Sequence, residues 1–322
     1  MSLTRTKRGL GLATATLLAT AALAGCSTGN EAPEAAGGSE GASDSCVIGM
    51  TQINQTAIFF TEMNAGAEEA AKKLGCELNI TNANNDSSRQ SSDIENFVTQ
   101  GVDALIVVAI DVNGVKPAVS AAQAQGIPVI AIDAQVDGVD TFVGVDNEAA
   151  GAEAAKWAID EGLIEGKSYG VVDAKSSFIQ NQREDSFRAA IDAAGAKYTQ
   201  SVNGDNVQEK AAAAAQDLVT AQSSLDFIYT TGEPATVGAV AALGSSDTAT
   251  TVIGWDLTAE VIAGIDSGLV RAVIQQDPRQ EGVEAVTEIT EILGGAEPKG
   301  FIDVPITIVT SDNVDDYRST FN

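Results

Sequence analysis

The 322-residue chain contains no histidine. That one absence removes Ser-His-Asp triads, imidazole general bases and the commonest metal ligand, so neither a catalytic nor a metal site is expected. Basic residues are scarce, with 18 Lys and Arg against 45 Asp and Glu. A chain this acidic repels phosphate backbones and anionic lipid, which excludes nucleic acid as a partner and any electrostatic grip on a membrane. Nucleophile elbow, Walker loop and dinucleotide fingerprint are all missing, so no cofactor is expected and an enzyme is disfavoured. After the first 25 residues no long apolar run remains, so nothing further along should cross a bilayer.

What the N-terminus does contain is informative. Arg5, Lys7 and Arg8 precede an uncharged stretch, Gly9 to Ala24, built only of Gly, Ala, Leu and Thr. It is short for a membrane span, and a basic head, apolar middle and small residues at the end read as a secretion signal over residues 1–25. Leu23-Ala24-Gly25-Cys26 resembles the bacterial lipobox, which implies cleavage before Cys26 and acylation (palmitate-type chains) of its thiol. The expected location is extracytoplasmic, anchored to the cell membrane through lipid alone. Ser27 to Ser45 is dominated by Ser, Gly, Glu, Ala and Asp with almost no large apolar residue, so residues 26–45 are expected to be a flexible linker. The three N-terminal bases leave with the signal, so 15 basic residues then face 45 acidic ones.

From Cys46 the pattern alternates. Short apolar runs are expected as strands at 47–53, 77–81, 104–109, 128–132 and 141–144, and again at 168–173, 198–202, 226–230, 251–254 and 270–274. Ala-rich helices fall between and after them, near 57–74, 88–100, 112–125, 147–163, 178–194, 207–221, 234–243 and 257–266, followed by a last helix at 279–294 and an extended tail through Val304 to Val309. Alternation of this kind makes parallel sheets covered by helices on both faces. Two runs, each the size of a domain, imply an α/β protein of two similar doubly wound lobes joined by a hinge, with a ligand cleft between them. The expected boundaries are 46–147 plus 277–305 for the N-terminal lobe and 148–276 plus 306–322 for the C-terminal lobe. Cys46 and Cys76 stand at the start of two such strands. In an exported protein they suggest a disulfide across neighbouring parallel strands, with two free thiols as the alternative.

In doubly wound sheets, ligands bind beyond the carboxyl ends of the strands. The polar residues there are Gln52, Asn54, Asp111, Asp133 and Asp146-Asn147 in the first lobe, and Asp173, Glu233, Asp256 and Gln276 in the second. Carboxylates and amides suit a ligand rich in hydroxyls. Phe59 and Phe60 follow the first strand and offer rings on which the CH face of a sugar can stack. Gln180 and Arg183 read as a helix face, and Trp255 as packing, since it alternates away from Asp256 along its strand.

These residues resemble a family. Phe59-Phe60 before an Ala-rich helix, the run Gln125 to Asp133, Val145-Asp146-Asn147, Gly254-Trp255-Asp256 and Gln275-Gln276-Asp277-Pro278 together look like the ribose-type periplasmic sugar-binding proteins that serve ABC importers. The resemblance runs from Val47 to about Val309. It implies that Phe59 and Phe60 sandwich a sugar, that Asp133 and Asp256 bind its hydroxyls from opposite lobes, and that Gln276 contacts it near the hinge, with Asn181 and Asn206 as further contacts. It also implies a monosaccharide or polyol ligand, an ABC permease with its ATPase as partners, and a monomer. The chain departs from the family pattern at Ala134 and Asn181, where arginines are expected, at Asn206, where an aromatic is expected, and at Val108 and Gly232, where asparagines are expected. Loss of two guanidinium forks argues for a ligand other than ribose. A lac-type repressor shares such a two-lobe core but needs a DNA-binding head and a basic face. A sugar-sensing receptor component would use the same closed form and is the alternative that remains.

Overall fold

The computed structural model describes residues 46–55, 58–246 and 248–321. Signal segment, Cys26 and linker all fall in the stretch before Cys46, outside the described residues. Asp44–Asn322 is one compact unit, and within it the strands sort into two six-stranded sheets.

The first sheet contains β1 (Val47–Gln52), β2 (Glu77–Asn82), β3 (Ala104–Val107), β4 (Val129–Ile132) and β5 (Thr141–Gly144), and takes a sixth strand, β11 (Gly300–Asp303), from far along the chain. Its order is β11-β5-β4-β3-β1-β2, and its neighbours are parallel. The second sheet is built on the same plan from β6 (Ser168–Asp173), β7 (Lys197–Asn203), β8 (Phe227–Thr230), β9 (Thr251–Trp255) and β10 (Val270–Gln275), closed by β12 (Thr307–Val309), in the order β12-β10-β9-β8-β6-β7. β12 runs antiparallel to β10, the one departure from parallel pairing in either sheet. The extended tail through Val304 to Val309 joins two short strands, β11 and β12, that belong to different sheets.

The chain passes between sheets three times, at 145–146, 276–277 and 304–306. The helices follow that division. α1 (Ile58–Leu74), α2 (Ser87–Gln100) and α3 (Lys116–Gln123) cover the first sheet, joined there by α9 (Pro278–Leu293), which packs along α1. α4 (Asn147–Asp160), α5 (Phe178–Ala193), α6 (Gln208–Ala221), α7 (Glu233–Leu243) and α8 (Ala259–Asp266) belong with the second sheet. Each sheet has an apolar core on both faces, so both lobes are three-layer sandwiches. Among the described residues no helix is long and apolar enough to cross a membrane.

Local chemistry sets the ends of these elements. Asp86 caps α2 by accepting from the amides of Ser88 and Arg89, and Gly101 ends it in the left-handed conformation (φ 75°) that glycine adopts without steric cost. α3 starts at Lys116, four residues later than the apolar pattern suggests, because Asp111 accepts from the Asn113 amide in a turn and Pro117 favours the first helical turn. α1 and α9 approach so closely that the Gly66 and Gly282 Cα atoms lie against the opposite backbone, at the Arg279 and Met63 carbonyls. Cys46 and Cys76 are joined as a disulfide where β1 and β2 start side by side, with Cα atoms 4.6 Å apart.

Candidate ligand-binding cleft

The strand-end residues reveal how alike the lobes are. Asp133 follows β4 and Asp256 follows β9, the fourth strand of each lobe, and both are left-handed (φ 64° and 61°). Their amides donate to the next strand in the same way, Asp133 to the Val143 carbonyl and Asp256 to that of Ile274, each at 3.1 Å. Asn84 and Asn85 after β2 match Asp205 and Asn206 after β7, all four again left-handed. Asp and Asn tolerate this region better than other side chains, so the repeat is written in residue type.

Between these ends lies Arg183, from α5. It is 3% exposed and each nitrogen of its guanidinium donates a hydrogen bond. Nε donates to Asn147 Oδ1 at 2.7 Å, Nη1 to the Thr231 carbonyl at 3.3 Å and Nη2 to Gln276 Oε1 at 3.0 Å. Gln276 turns its amide nitrogen to both carboxylate oxygens of Asp256, at 3.1 Å each. Asn147 and Gln276 adjoin the first two crossovers, so one arginine ties together the two segments about which the lobes would hinge. Its planar face lies 3.7 Å above the Trp255 ring. Trp255 in turn donates Nε1–H to the Tyr229 hydroxyl at 2.8 Å, and Tyr229 stacks on Phe187. This aromatic pedestal confirms Trp255 as packing and holds the guanidinium in a single pose.

Burial and charge act strongly here. Desolvation pushes the Asp133 carboxyl up to about 6, opposed by Arg183 and reinforced by Asp256. Asp256 is raised by burial as well, against the pull of Arg183 and the Gln276 hydrogen bonds. Glu233, first residue of α7, is pushed up to about 7 by burial and by the Asp256 and Glu260 carboxylates. Glu281 on α9 is fully buried, has no hydrogen-bond partner among the described residues, and is raised well above the ordinary range by burial and by Asp133, Asp256 and Asp277. Arg183 is the cation that offsets Asp133, Asp256 and Glu281 alike.

A cavity of about 40 Å³ opens beside this cluster. Ile58, Phe59 and Pro278 line it from the first lobe, and Glu233, Asp256, Leu257, Thr258 and Gln275 from the second, with Phe321 at its edge. Phe59 and Asp256 thus share the cavity wall, Gln276 is hydrogen-bonded to Asp256 behind it, and Asp133 stands within electrostatic reach of Asp256. Phe60 meets Phe59 edge to face at 5.3 Å, and both rings rest on the first-lobe core.

Other candidates lie apart from that cluster. Gln52 is buried but donates to Asn64 Oδ1 at 2.9 Å and accepts from the Ile53 amide, so its amide is spent holding α1 to β1. Asp111 is exposed in its turn. Asn181 folds back to the Lys175 carbonyl at 3.1 Å. Asn206 accepts from Gln180 Nε2 at 2.9 Å, and Gln180 accepts from the Thr231 hydroxyl at 2.7 Å. Gln180 thus fills the space beside Gly232, where any Cβ would meet its amide. Asp173 faces Lys175, 2.9 Å away, which also binds Glu184, and is structural.

Three residues that matter were missed from sequence. Arg183 and Gln180 read as a helix face, yet they share one stripe with Phe187 and Ile191, and that stripe is the buried side of α5. Polar groups at 3- and 4-residue spacing from core residues were the available signal. Glu281 likewise lies on the stripe of Ala285 and Ile289 in α9. Among the described residues, no group of His, Cys, Asp and Glu is arranged to hold a metal ion.

Comparison with known proteins agrees with this architecture. The sequence profile of the periplasmic binding protein domain matches residues 48–297. The chain is 30% identical to the ribose import binding protein of Bacillus subtilis over 268 residues, covering 82% of this chain and 87% of that protein. Among solved structures, an ABC transporter solute binding protein from Mycobacterium smegmatis with bound glycerol superposes with a TM-score of 0.76 at 28% identity, covering 86% of this chain and 99% of that one. One from Bacillus halodurans with bound myo-inositol gives the same TM-score at 23% identity, covering 87% and 100%, a likeness of fold alone. These relatives are binding proteins, not enzymes.

Proposed function

Because this chain belongs to the periplasmic binding protein family, we propose that it is an extracytoplasmic solute-binding lipoprotein. It captures a monosaccharide or polyol by closure of two lobes and delivers it to an ABC importer. The observation that carries this reading is that Asp133 and Asp256, equivalent residues of the two lobes, lie within electrostatic reach of one guanidinium, Arg183, with Asp256 tied to it through Gln276. A ligand that bonds both carboxyls bridges the lobes, and binding that favours the closed form shifts the population toward it. A cavity of about 40 Å³ is far smaller than the roughly 300–1,000 Å³ of ordinary small-molecule sites. A sugar therefore enters with the lobes further apart and is enclosed as they close.

Phe59 supplies the apolar wall for the CH face, Asp256 and Asp133 accept from hydroxyls, and Gln276 fixes the Asp256 carboxylate while itself held by Arg183. Asn181, in the first turn of α5, and Asn206, after β7, serve as further contacts once ligand displaces their present partners, and the anchor at Cys26 keeps the protein beside its permease and ATPase. Ala134 and Asn181 stand where ribose binders carry arginine, which favours a hexose, polyol or related compound over ribose. A thermal-shift screen against pentoses, hexoses, amino sugars and polyols tests the reading, since a ligand in excess raises the melting temperature by mass action. Asp256→Ala should weaken binding of the hit by about 2–3 kcal/mol through a lost charged hydrogen bond. Unchanged affinity by calorimetry would remove Asp256 from the site.

A further inference from the structure

The charges at the crossovers do not balance. Three carboxyls, Asp133, Asp256 and Glu281, share one cation, Arg183, whose three nitrogens each donate elsewhere, to Asn147, Thr231 and Gln276. Asp256 at least accepts from Gln276. Glu281 is fully buried, with neither oxygen hydrogen-bonded among the described residues. A buried acceptor left without a donor is costly, and native proteins seldom keep one without a use.

Its surroundings narrow what that use can be. The charged groups that act on Glu281 are Asp133 after β4, Asp256 after β9, Asp277 at the start of its own helix and Arg183 from α5. On α1, which packs along α9, the carboxylates that reach this helix, Glu62 and Glu69, pair with Arg279. Carboxyls thus outnumber cations around an unpartnered acid that sits one turn into α9 from Pro278, a residue of the cavity wall. A hydroxyl offers one donor and no charge, whereas an ammonium offers three donors and a charge of the missing sign.

We propose that the ligand of this cleft is a polyhydroxylated compound bearing a protonated amine, an amino sugar or amino polyol, and that Glu281 receives the ammonium group. The proposal rests on the reading of the cleft as the solute site. The ammonium turns Glu281 into half of a hydrogen-bonded ion pair, and two cations then stand against three carboxyls. The remaining hydroxyls are left to Asp133 and Asp256. A wholly neutral ligand would instead need Glu281 protonated, donating a single bond. The two cases differ in sign with pH. An ammonium binds the ionised acid, so its affinity rises with pH while the carboxyls of the cluster ionise. A neutral ligand held by the protonated acid weakens over that range.

Calorimetry on the full-length protein with matched pairs decides between them: D-glucosamine and D-glucose, D-galactosamine and D-galactose, glucamine and glucitol, at about pH 6 and about pH 7.5. The expected result is that an amine member binds about tenfold or more tightly than its neutral partner, as a charge-assisted contact should. That preference should grow with pH and vanish in Glu281→Gln. Glu281→Leu should lose the preference too, while melting higher than the parent because the unpartnered acid is gone; this separates a binding role from a folding one. If neutral members bind as well as or better than their amines, or the preference survives in Glu281→Gln, the amine assignment falls and the sugar-binding reading stands. If no member of any pair binds, both fall.

Discussion

Removing the Arg183 guanidinium is the sharpest test of how the cleft is held. Arg183→Met keeps the stem over Trp255 and deletes three hydrogen bonds, to Asn147, Thr231 and Gln276. At about 1.5–3 kcal/mol for each bond to a charged group, simple addition gives roughly 4.5–9 kcal/mol. That sum is an upper bound, since Gln276 can turn its amide and the carboxyls can take up protons instead of remaining buried and unpaired. Leaving buried carboxyls without their compensating cation costs about 3–5 kcal/mol, and this is the loss expected at about pH 7.5. The sign of its pH dependence is also set. Asp133 already titrates near 6 with Arg183 beside it, above its unfolded value, so its contribution to stability is present at low pH and fades as pH rises through that range. Without the guanidinium the carboxyls move further up, so the variant loses stability with rising pH more steeply than the parent. Urea unfolding at about pH 5 and about pH 7.5 should show a smaller deficit at the lower pH. A deficit below about 1 kcal/mol, or one equal at both pH values, would refute the charge-balance argument. Arg183→Lys should fall between, because an ammonium cannot reproduce the three-way planar fork.

Cys46→Ser opens a loop whose ends are 30 residues apart, and should cost about 3–4 kcal/mol in the chain-entropy picture, read as a lower melting temperature that a reductant no longer changes. Gly282→Val forces a side chain into the Met63 carbonyl across the α1–α9 contact, with an expected loss of about 3 kcal/mol by urea unfolding, at the top of the range for overpacking. The ligand-free protein should melt lower as pH rises from about 5 to about 7.5. Asp133, at about 6, and Glu233, at about 7, hold protons in the folded state that the unfolded chain has released. A flat or rising profile across that window would mean that these carboxyls are not buried as described.

Most of the fold was legible because its signals are local. Apolar runs of strand length, Ala-rich stretches between them and stops such as Gly101 recur often enough that both sheets follow from alternation alone. What alternation does not encode is the pairing partner of the last strands. β11 and β12 lie only a few residues apart yet enter different sheets, and β12 enters antiparallel, a result of where the crossovers leave the chain. The site divided along the same line. Asp133 and Asp256 stand at strand ends, where position in sequence translates directly into position in space, and the structure gathers them with Phe59 and Gln276. Gln52 and Asn181 also stand near strand ends, but their amides find nearer partners on the backbone and on α1, a choice of rotamer that no spacing reveals. Arg183 and Glu281 sit mid-helix, and only their phase relative to core residues marks them. That phase carries the functional argument. A guanidinium and a carboxyl on buried helix faces, aligned with Phe187 and Ala285, are costly to keep, and burial of the one is matched by hydrogen bonds whereas burial of the other is not. The satisfied group explains how the two crossovers are held together. The unsatisfied one points to a ligand that brings its own positive charge.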